Sequence, residues 1–215
     1  MLVGVMSDTH DDIMQTKKAV SRFNREGVEQ VLHAGDFISP FMIDTLKELA
    51  APLTGVFGNN DGDRPLLERK SAALPSMKIT GTFARIDAGG MRIAVLHGND
   101  RELLETLAGC GSLDLLVYGH THRPEVRRDG SLLIVNPGEV YGHLTGRSTV
   151  ALVDTAKRAA EIVEIGDPYW GEERIVYAGF GLFENALPID SRILPDLFLN
   201  IEKVTNAFRS NALLS

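Results

Sequence analysis

The sequence lacks the features that mark secreted, membrane-embedded or disulfide-stabilised proteins. It has one cysteine, Cys110, among 215 residues, so an internal disulfide is excluded and the composition suits a reducing compartment. No stretch is long and apolar enough to span a bilayer, and no charged leader precedes an apolar signal core. We therefore expect a cytoplasmic protein that does not enter membranes.

An excess of positive charge is also missing. The chain has 22 Lys and Arg against 29 Asp and Glu, which gives a formal net charge of -7. Without a global basic field, broad sequence-independent binding of nucleic acid is disfavoured, although a local basic patch would still allow it. Nucleic acid is therefore a less favoured partner than a small molecule.

The chain does contain five short polar segments, each directly after an apolar stretch. In order they are Asp8-Thr9-His10, Gly35-Asp36, Gly58-Asn59-Asn60-Asp61, His97-Gly98 and Gly119-His120-Thr121-His122. Imidazole and carboxylate ligands suit Mn, Fe, Zn or Ni, and the absence of nearby thiolates argues against a closed structural zinc site. We interpret the segments as a hydrolytic centre built on two metal ions.

The preceding apolar stretches are typical of short buried strands. Parallel strands end along one edge of a sheet, so residues just beyond those ends converge in one crevice. The predicted strands are Met1–Met6, Gln30–Leu32, Leu53–Phe57, Met91–Leu96 and Leu113–Tyr118.

Helices are predicted between these strands, which gives the βαβ pattern of a layered α/β protein. One covers Asp12–Arg25 and stops at Gly27, a second covers Pro40–Ala50 behind Ser39 as N-cap, and a third covers Arg101–Ala108. Hairpin-like strands dominate from residue 125 to residue 165, so we expect two mixed or antiparallel sheets with helices outside. We place the domain boundary at residue 166, followed by an extension, 167–215, with a helix-like pattern over Leu194–Arg209.

The ordered motifs resemble those of calcineurin-like metallophosphoesterases, and among them the small bacterial and archaeal phosphodiesterases that begin with Asp-Thr-His. The resemblance spans roughly Met1 to Gly166. It implies an α/β fold with four layers, α/β/β/α, in which helices flank two mixed sheets. It also implies a metal-dependent phosphoesterase, in particular a phosphodiesterase, acting on small phosphate esters.

The resemblance further implies which residues hold the two divalent ions. The first set is Asp8, His10, Asp36 and His122, and the second set is Asp36, Asn59, His97 and His120, with Asp36 bridging the pair. Manganese is the preferred ion, and Ni, Fe, Zn or Co stay open. Such a pair can hold and activate a hydroxide for in-line attack on phosphorus.

Catalysis is expected to depend on Asp36, Asn59, His97 and Asn60. Many relatives have a His after the ligand Asn, thought to protonate the leaving alkoxide, whereas Asn60 cannot deliver a proton. The sequence therefore predicts a preference for esters whose leaving group is stable as an anion, or a substitute acid, with His143 and Asp61 as weak candidates.

The remaining polar residues have plainer interpretations. We interpret His33 as packed, with a role in orienting Asp36, and Asp61 as a structural residue that fixes the Gly58-Asn59 loop. His143 is expected at the surface and Cys110 as a buried apolar filler. The turn Asn136-Pro137-Gly138-Glu139, which resembles a family segment, would line the cleft near His122.

Two alternatives from other classes stay open. Relatives with this metal centre include nucleases, although the acidic balance and the lack of an aromatic-basic stretch count against that function. A eukaryotic sorting-complex subunit of the same fold is a scaffold, and the extension could dock on a partner or on a second copy through an apolar stripe of Ile193, Leu197, Ile201 and Val204.

Overall fold

The computed structural model describes residues 1–79 and 81–166. Within these residues the strands are β1 (Leu2–Met6), β2 (Gln30–His33), β3 (Leu53–Gly55), β4 (Met77–Ile79), β5 (Phe83–Ala88), β6 (Met91–Leu96), β7 (Leu115–Val117), β8 (Glu125–Asp129), β9 (Leu132–Asn136), β10 (Ser148–Asp154) and β11 (Ala159–Gly166). The helices are α1 (Ile13–Glu26), α2 (Met42–Leu46), α3 (Arg64–Ala72) and α4 (Arg101–Gly109). None of these helices has the length and apolarity that a bilayer crossing requires.

The strands form two mixed sheets, as the sequence predicts. The first sheet has the order β11-β10-β1-β2-β3-β4, in which β1 to β4 are parallel and β10 runs antiparallel to both of its neighbours. The second has the order β5-β6-β7-β9-β8, in which β6, β7 and β9 are parallel and the edge strands β5 and β8 are antiparallel.

Three apolar clusters hold the layers together. The first, which includes Phe23 and Leu46, packs α1, α2 and α3 against the outer face of the first sheet. The second lies between the two sheets, with Val5 on one side and Val117 on the other. The third packs α4 against the outer face of the second sheet, for example through Leu107. Helix, sheet, sheet and helix therefore follow one another, which is the predicted four-layer arrangement.

Most predicted elements agree with the structure, and α1 does so at both ends. Asp12 caps it by accepting a hydrogen bond from the Gln15 N–H, and Gly27 ends it in the left-handed conformation at φ 66. The predicted second helix is wrong in extent, because α2 covers only Met42–Leu46 and Phe41 is at its N-cap position. Ser39 does not cap it, since the Ser39 hydroxyl donates to Asp11 instead.

Three further differences have local causes. Helix α3 and strand β4 are absent from the sequence analysis, because α3 buries only Leu67 and Ser71 and β4 has three residues, too few for a periodic signal. Cys110 is exposed rather than buried, since it follows the last turn of α4. The extension and its predicted helix lie outside the described residues.

Candidate metal centre

Hydrogen bonds between the loops bring the predicted segments to one place. The N–H of Asp8 donates to the carbonyl of Gly35 at 3.0 Å, which joins the loop after β1 to the loop after β2. The N–H of Gly119 donates to the carbonyl of His97 at 2.9 Å, which joins the loops after β7 and β6. A third bond, from the His120 N–H to Asp8 Oδ2 at 3.1 Å, joins a loop of the second sheet to a loop of the first, so the two sheets present their ligand-bearing loops at a shared edge.

One group of side chains surrounds the Asp8 carboxylate. Its Oδ1 atom lies 3.4 Å from Nε2 of His122 and 3.7 Å from Nε2 of His10. Atoms of these three residues all lie within 4.8 Å of one another, which is a spacing that one metal ion can bridge. Asp8 is fully buried, whereas both imidazoles are partly exposed.

A second group surrounds Asp36 and overlaps the first. Asp36 Oδ2 lies 3.3 Å from Nε2 of His97 and 3.6 Å from Nε2 of His10, so one carboxylate faces both groups. Asp8, Asp36 and His97 likewise have ligand atoms within 4.8 Å of one another. Burial opposes ionisation of Asp36, but the adjacent His97 imidazole and hydrogen bonds from Asn60 outweigh it and hold the pKa of Asp36 well below its usual range.

The unpaired atoms of this cluster fit a cationic ligand. Among the residues that the structure describes, Asp8 Oδ1, His10 Nε2 and His97 Nε2 are buried and have no hydrogen-bond partner. A buried polar atom without a partner costs about 1–3 kcal/mol, so such atoms are rare unless they serve a purpose. Carboxylate and imidazole atoms that face one another at this spacing are a donor set that a divalent transition metal satisfies.

His120 and Asn59 lie at the exposed side of the cluster. The ring of His120 is 5.1 Å from that of His97, and its backbone N–H donates to Asp8 Oδ2 at 3.1 Å. Asn59 is exposed, between Gly58 and Asn60, which both contact Asp36. All seven predicted ligand residues therefore lie on loops that meet at this edge.

Asn60 has a contact that the sequence analysis did not anticipate. Its backbone N–H donates to Asp36 Oδ1 at 2.9 Å and its side-chain amide donates to Asp36 Oδ2 at 2.8 Å. Both oxygens of the carboxylate are held in this way. Asn60 is therefore a positioning residue for Asp36.

Comparisons with known proteins agree with this geometry. A family model described as the calcineurin-like phosphoesterase superfamily domain matches residues 1–158. The chain belongs to this superfamily. Phosphodiesterase MJ0936 of Methanocaldococcus jannaschii is 37% identical over 158 residues, covering 74% of this chain and 95% of that protein.

Two solved structures extend the comparison. The structure of an archaeal phosphodiesterase superposes with a TM-score of 0.73 at 35% identity, covering 76% of this chain and 99% of the other. Wild-type Vps29 of Entamoeba histolytica, complexed with zinc, superposes with a TM-score of 0.56 at 22% identity, covering 77% of this chain and 100% of that chain. The second similarity shows a shared fold alone.

The loops of this calcineurin-like phosphoesterase are held in a strained backbone conformation. Five predicted ligands have positive φ angles, namely Asp8, His10, Asp36, His120 and His122. Non-glycine residues rarely adopt this conformation, and it persists only where the surroundings enforce it. Close backbone approach adds a second constraint, because a Cβ atom at Gly58 would lie 2.1 Å from Asp36 Oδ1.

His33 and Asp61 hold the loops after β1, β2 and β3 through hydrogen bonds. His33 is packed and Asp61 fixes the loop of Gly58, as predicted. His33 is fully buried and stacked on Phe37, accepts a hydrogen bond from the Gly35 N–H at Nδ1, and contacts Thr9 Oγ1 at Nε2. Asp61 accepts hydrogen bonds from the N–H groups of Asp36, Ile38 and Gly58. Burial raises the pKa of Asp61.

Sequence reasoning missed the role of Glu139. The predicted turn does lie near His122, but its acidic residue is fully buried and 2.7 Å from Nδ1 of that histidine. An acidic residue in an otherwise apolar, glycine-rich run was the available signal. His143, predicted at the surface, is partly buried, with Nε2 3.2 Å from Asp12 Oδ2 and its ring 4.2 Å from that of Tyr141.

We expect Asp61→Asn to lower the free energy of unfolding by about 1–3 kcal/mol, since one amide nitrogen would face a backbone N–H that needs an acceptor. Metal-dependent activity should fall with it, because the loops of Asp36 and Asn59 lose their shared anchor. Urea denaturation measures the first effect. Asp63→Asn is the matched control, since Asp63 caps α3 and Asn caps a helix equally well. Equal losses of unfolding free energy in the two variants would contradict the role of Asp61 as the anchor of these loops.

The buried His33 should make the metal-free protein sensitive to acid. Burial, aided by His97, lowers the pKa of His33 from 6.5 to about 3. The stability contributed by its neutral form is complete above pH 6.5 and is lost as the pH falls towards 3, with a slope of at most about 1.4 kcal/mol per pH unit. Denaturation between pH 7 and pH 4 measures this slope. It should be smaller in His33→Gln, and an unchanged slope would rule out His33 as its source.

Proposed function

We propose that this protein is a metal-dependent phosphodiesterase with a binuclear metal centre. The observation that carries the proposal is the pair of buried carboxylates, Asp8 and Asp36, whose oxygens face three imidazoles while several of these atoms have no hydrogen-bond partner. The membership in the superfamily, the sequence similarity to an archaeal phosphodiesterase and the match to a solved archaeal phosphodiesterase structure support the same activity.

The residues divide into two sets that share a carboxylate. Asp8, His10 and His122 would hold one ion, and His97, His120 and Asn59 would hold the other. Asp36 suits the bridging position, because its Oδ2 atom faces His10 on one side and His97 on the other. The amide oxygen of Asn59 would coordinate without adding negative charge against an anionic substrate.

Two divalent ions, when bound, supply a water of lowered pKa and withdraw charge from the phosphate oxygens. The protein's own contribution is to keep the ligands oriented before substrate arrives. Asn60 holds both oxygens of Asp36, and the carbonyl of Ala34 lies 2.8 Å from Nδ1 of His97, which keeps Nε2 towards the centre. We propose manganese as the preferred ion and a small phosphate ester as substrate, in a cytoplasmic location.

Asn60 also bears on the choice of substrate. Its side-chain amide donates to Asp36, and an amide does not release a proton to a leaving alkoxide. Of the two substitute acids named from the sequence, Asp61 accepts hydrogen bonds from three backbone N–H groups, and Nε2 of His143 lies 3.2 Å from Asp12 Oδ2. The site therefore favours phosphodiesters whose leaving group is already stable as an anion.

The first test is hydrolysis of bis-p-nitrophenyl phosphate by metal-stripped protein, alone and with Mn²⁺, Ni²⁺, Zn²⁺ or Mg²⁺. We expect activity to return with a transition metal and to fall by about 10²–10³-fold or more in Asp36→Ala, because the shared carboxylate is lost. Asp44→Ala is the control, since Asp44 is exposed and pairs with Lys47 and Lys70. Binding of metal without any turnover would instead favour a scaffold function.

A second test varies the leaving group. Because residue 60 supplies no proton, kcat/KM for aryl phosphodiesters should fall steeply as the pKa of the leaving phenol rises. Bis-p-nitrophenyl phosphate and p-nitrophenyl phosphate release the same p-nitrophenolate, so faster cleavage of the diester would test the preference for diesters and not the role of residue 60. A rate that is independent of the leaving group would show that another residue donates the proton.

A further inference from the structure

The two candidate metal positions are supported by different parts of the chain. In the second, His97 is oriented by a backbone carbonyl, that of Ala34, and Asp36 by Asn60 and Asp61. In the first, His122 is oriented by a side chain, the carboxylate of Glu139. A substitution can remove a side-chain partner but not a backbone carbonyl, so the orientation of His122 depends on the residue at position 139, whereas that of His97 does not depend on a partner side chain.

The loop between β9 and β10 contacts each of the three residues that form the first position, through its residues 139–145. The Tyr141 N–H donates to the carbonyl of Asp8 at 3.0 Å, and the Tyr141 ring lies 5.4 Å from that of His10. Glu139 Oε2 lies 2.7 Å from Nδ1 of His122. The side chain of His143 backs the Tyr141 ring and is tied to Asp12.

Glu139 is locked in one orientation by its other oxygen. Oε1 accepts three hydrogen bonds, from the N–H groups of Leu144 and Thr145 and from the Thr145 hydroxyl, at 3.0, 2.6 and 2.8 Å. An ionised carboxylate only accepts, so Nδ1 of His122 carries a hydrogen, and in the neutral imidazole Nε2 then keeps its lone pair. That Nε2 atom is the one that lies 3.4 Å from Asp8.

We propose that Glu139 is a positioning residue that fixes the tautomer of His122 and thereby sets the metal affinity of the position formed by Asp8, His10 and His122, separately from the position that contains His97. This inference rests on the proposed binuclear centre. It adds that different loops set the metal affinity of the two positions. The loop between β9 and β10 sets that of the first position, and the loops after β2, β3 and β6 set that of the second.

The variant Glu139→Gln tests the proposal because its amide cannot accept hydrogen bonds both from Nδ1 of His122 and from the donors at residues 144 and 145. If the amide oxygen keeps the three hydrogen bonds at residues 144 and 145, the NH₂ group faces Nδ1 of His122. The hydrogen of His122 then moves to Nε2, where it blocks coordination. If the amide turns over, its NH₂ group meets two backbone N–H groups and the loop is displaced.

Calorimetric titration of the full-length, metal-stripped protein with Mn²⁺ gives the first readout. The unsubstituted chain should bind two ions, and Glu139→Gln should lose affinity at one position by about 10–100-fold while the other is unchanged. Electron paramagnetic resonance should show a coupled pair of Mn²⁺ ions in the unsubstituted chain and a single Mn²⁺ ion in Glu139→Gln. Glu164→Gln, an exposed carboxylate paired with Arg147, should bind both ions normally.

The tautomer itself gives a second readout that needs no metal. Long-range ¹H–¹⁵N spectra of the metal-free protein, recorded at a pH where the His122 imidazole is neutral, should place its hydrogen on Nδ1, and on Nε2 in Glu139→Gln. If that variant does not fold, Thr145→Val, which deletes one hydrogen bond to Glu139, should weaken the same position to a smaller extent. Two unchanged affinities in a folded variant, or equal losses at both positions, would overturn the proposal. Fewer than two ions in the unsubstituted chain would contradict the binuclear centre itself.

Discussion

The burial of two carboxylates at one point governs this structure. Asp8 and Asp36 are fully buried, and within the described residues the basic side chains within 4.0 Å of their oxygens are those of histidines rather than Lys or Arg. Removing an ionised carboxylate from water costs several kcal/mol unless positive charge or hydrogen bonds replace the solvent. The fold supplies hydrogen bonds to Asp36 and leaves an oxygen of Asp8 without one, which is a cost that a bound cation removes.

The loops around the two carboxylates restrict the orientations that Asp8 and Asp36 can adopt. Both sheets deliver loops to one edge, backbone hydrogen bonds join the loops in pairs, and several ligands are kept at positive φ. Each strained residue costs of order 1–3 kcal/mol, so the apolar clusters on both faces of the sheets must offset it. The stability of the layers and the preorganisation of the centre are therefore linked, because the packing maintains the loop conformations.

The sequence was sufficient for the parts of the structure that follow from local patterns. Apolar runs ending in polar residues located β1, β2, β3, β6 and β7, and the order of the motifs located the predicted ligands. It was insufficient where a contact joins distant residues of ordinary type. Glu139 meets His122 across 17 positions and Asn60 meets Asp36 across 24, and neither pair has a periodic signature. Elements with little buried surface, such as α3, were missed for the same lack of pattern.

Asn60 affects both the orientation of Asp36 and the proton transfer available at the centre. A residue at this position can hold the Asp36 carboxylate or release a proton to a leaving group, and its amide does only the first. Holding Asp36 from both oxygens keeps the shared carboxylate oriented, so ordering of the metal positions is favoured over acid catalysis. Under the proposed function, reactivity would then come from the substrate, whose ester bond would have to break without a proton from residue 60.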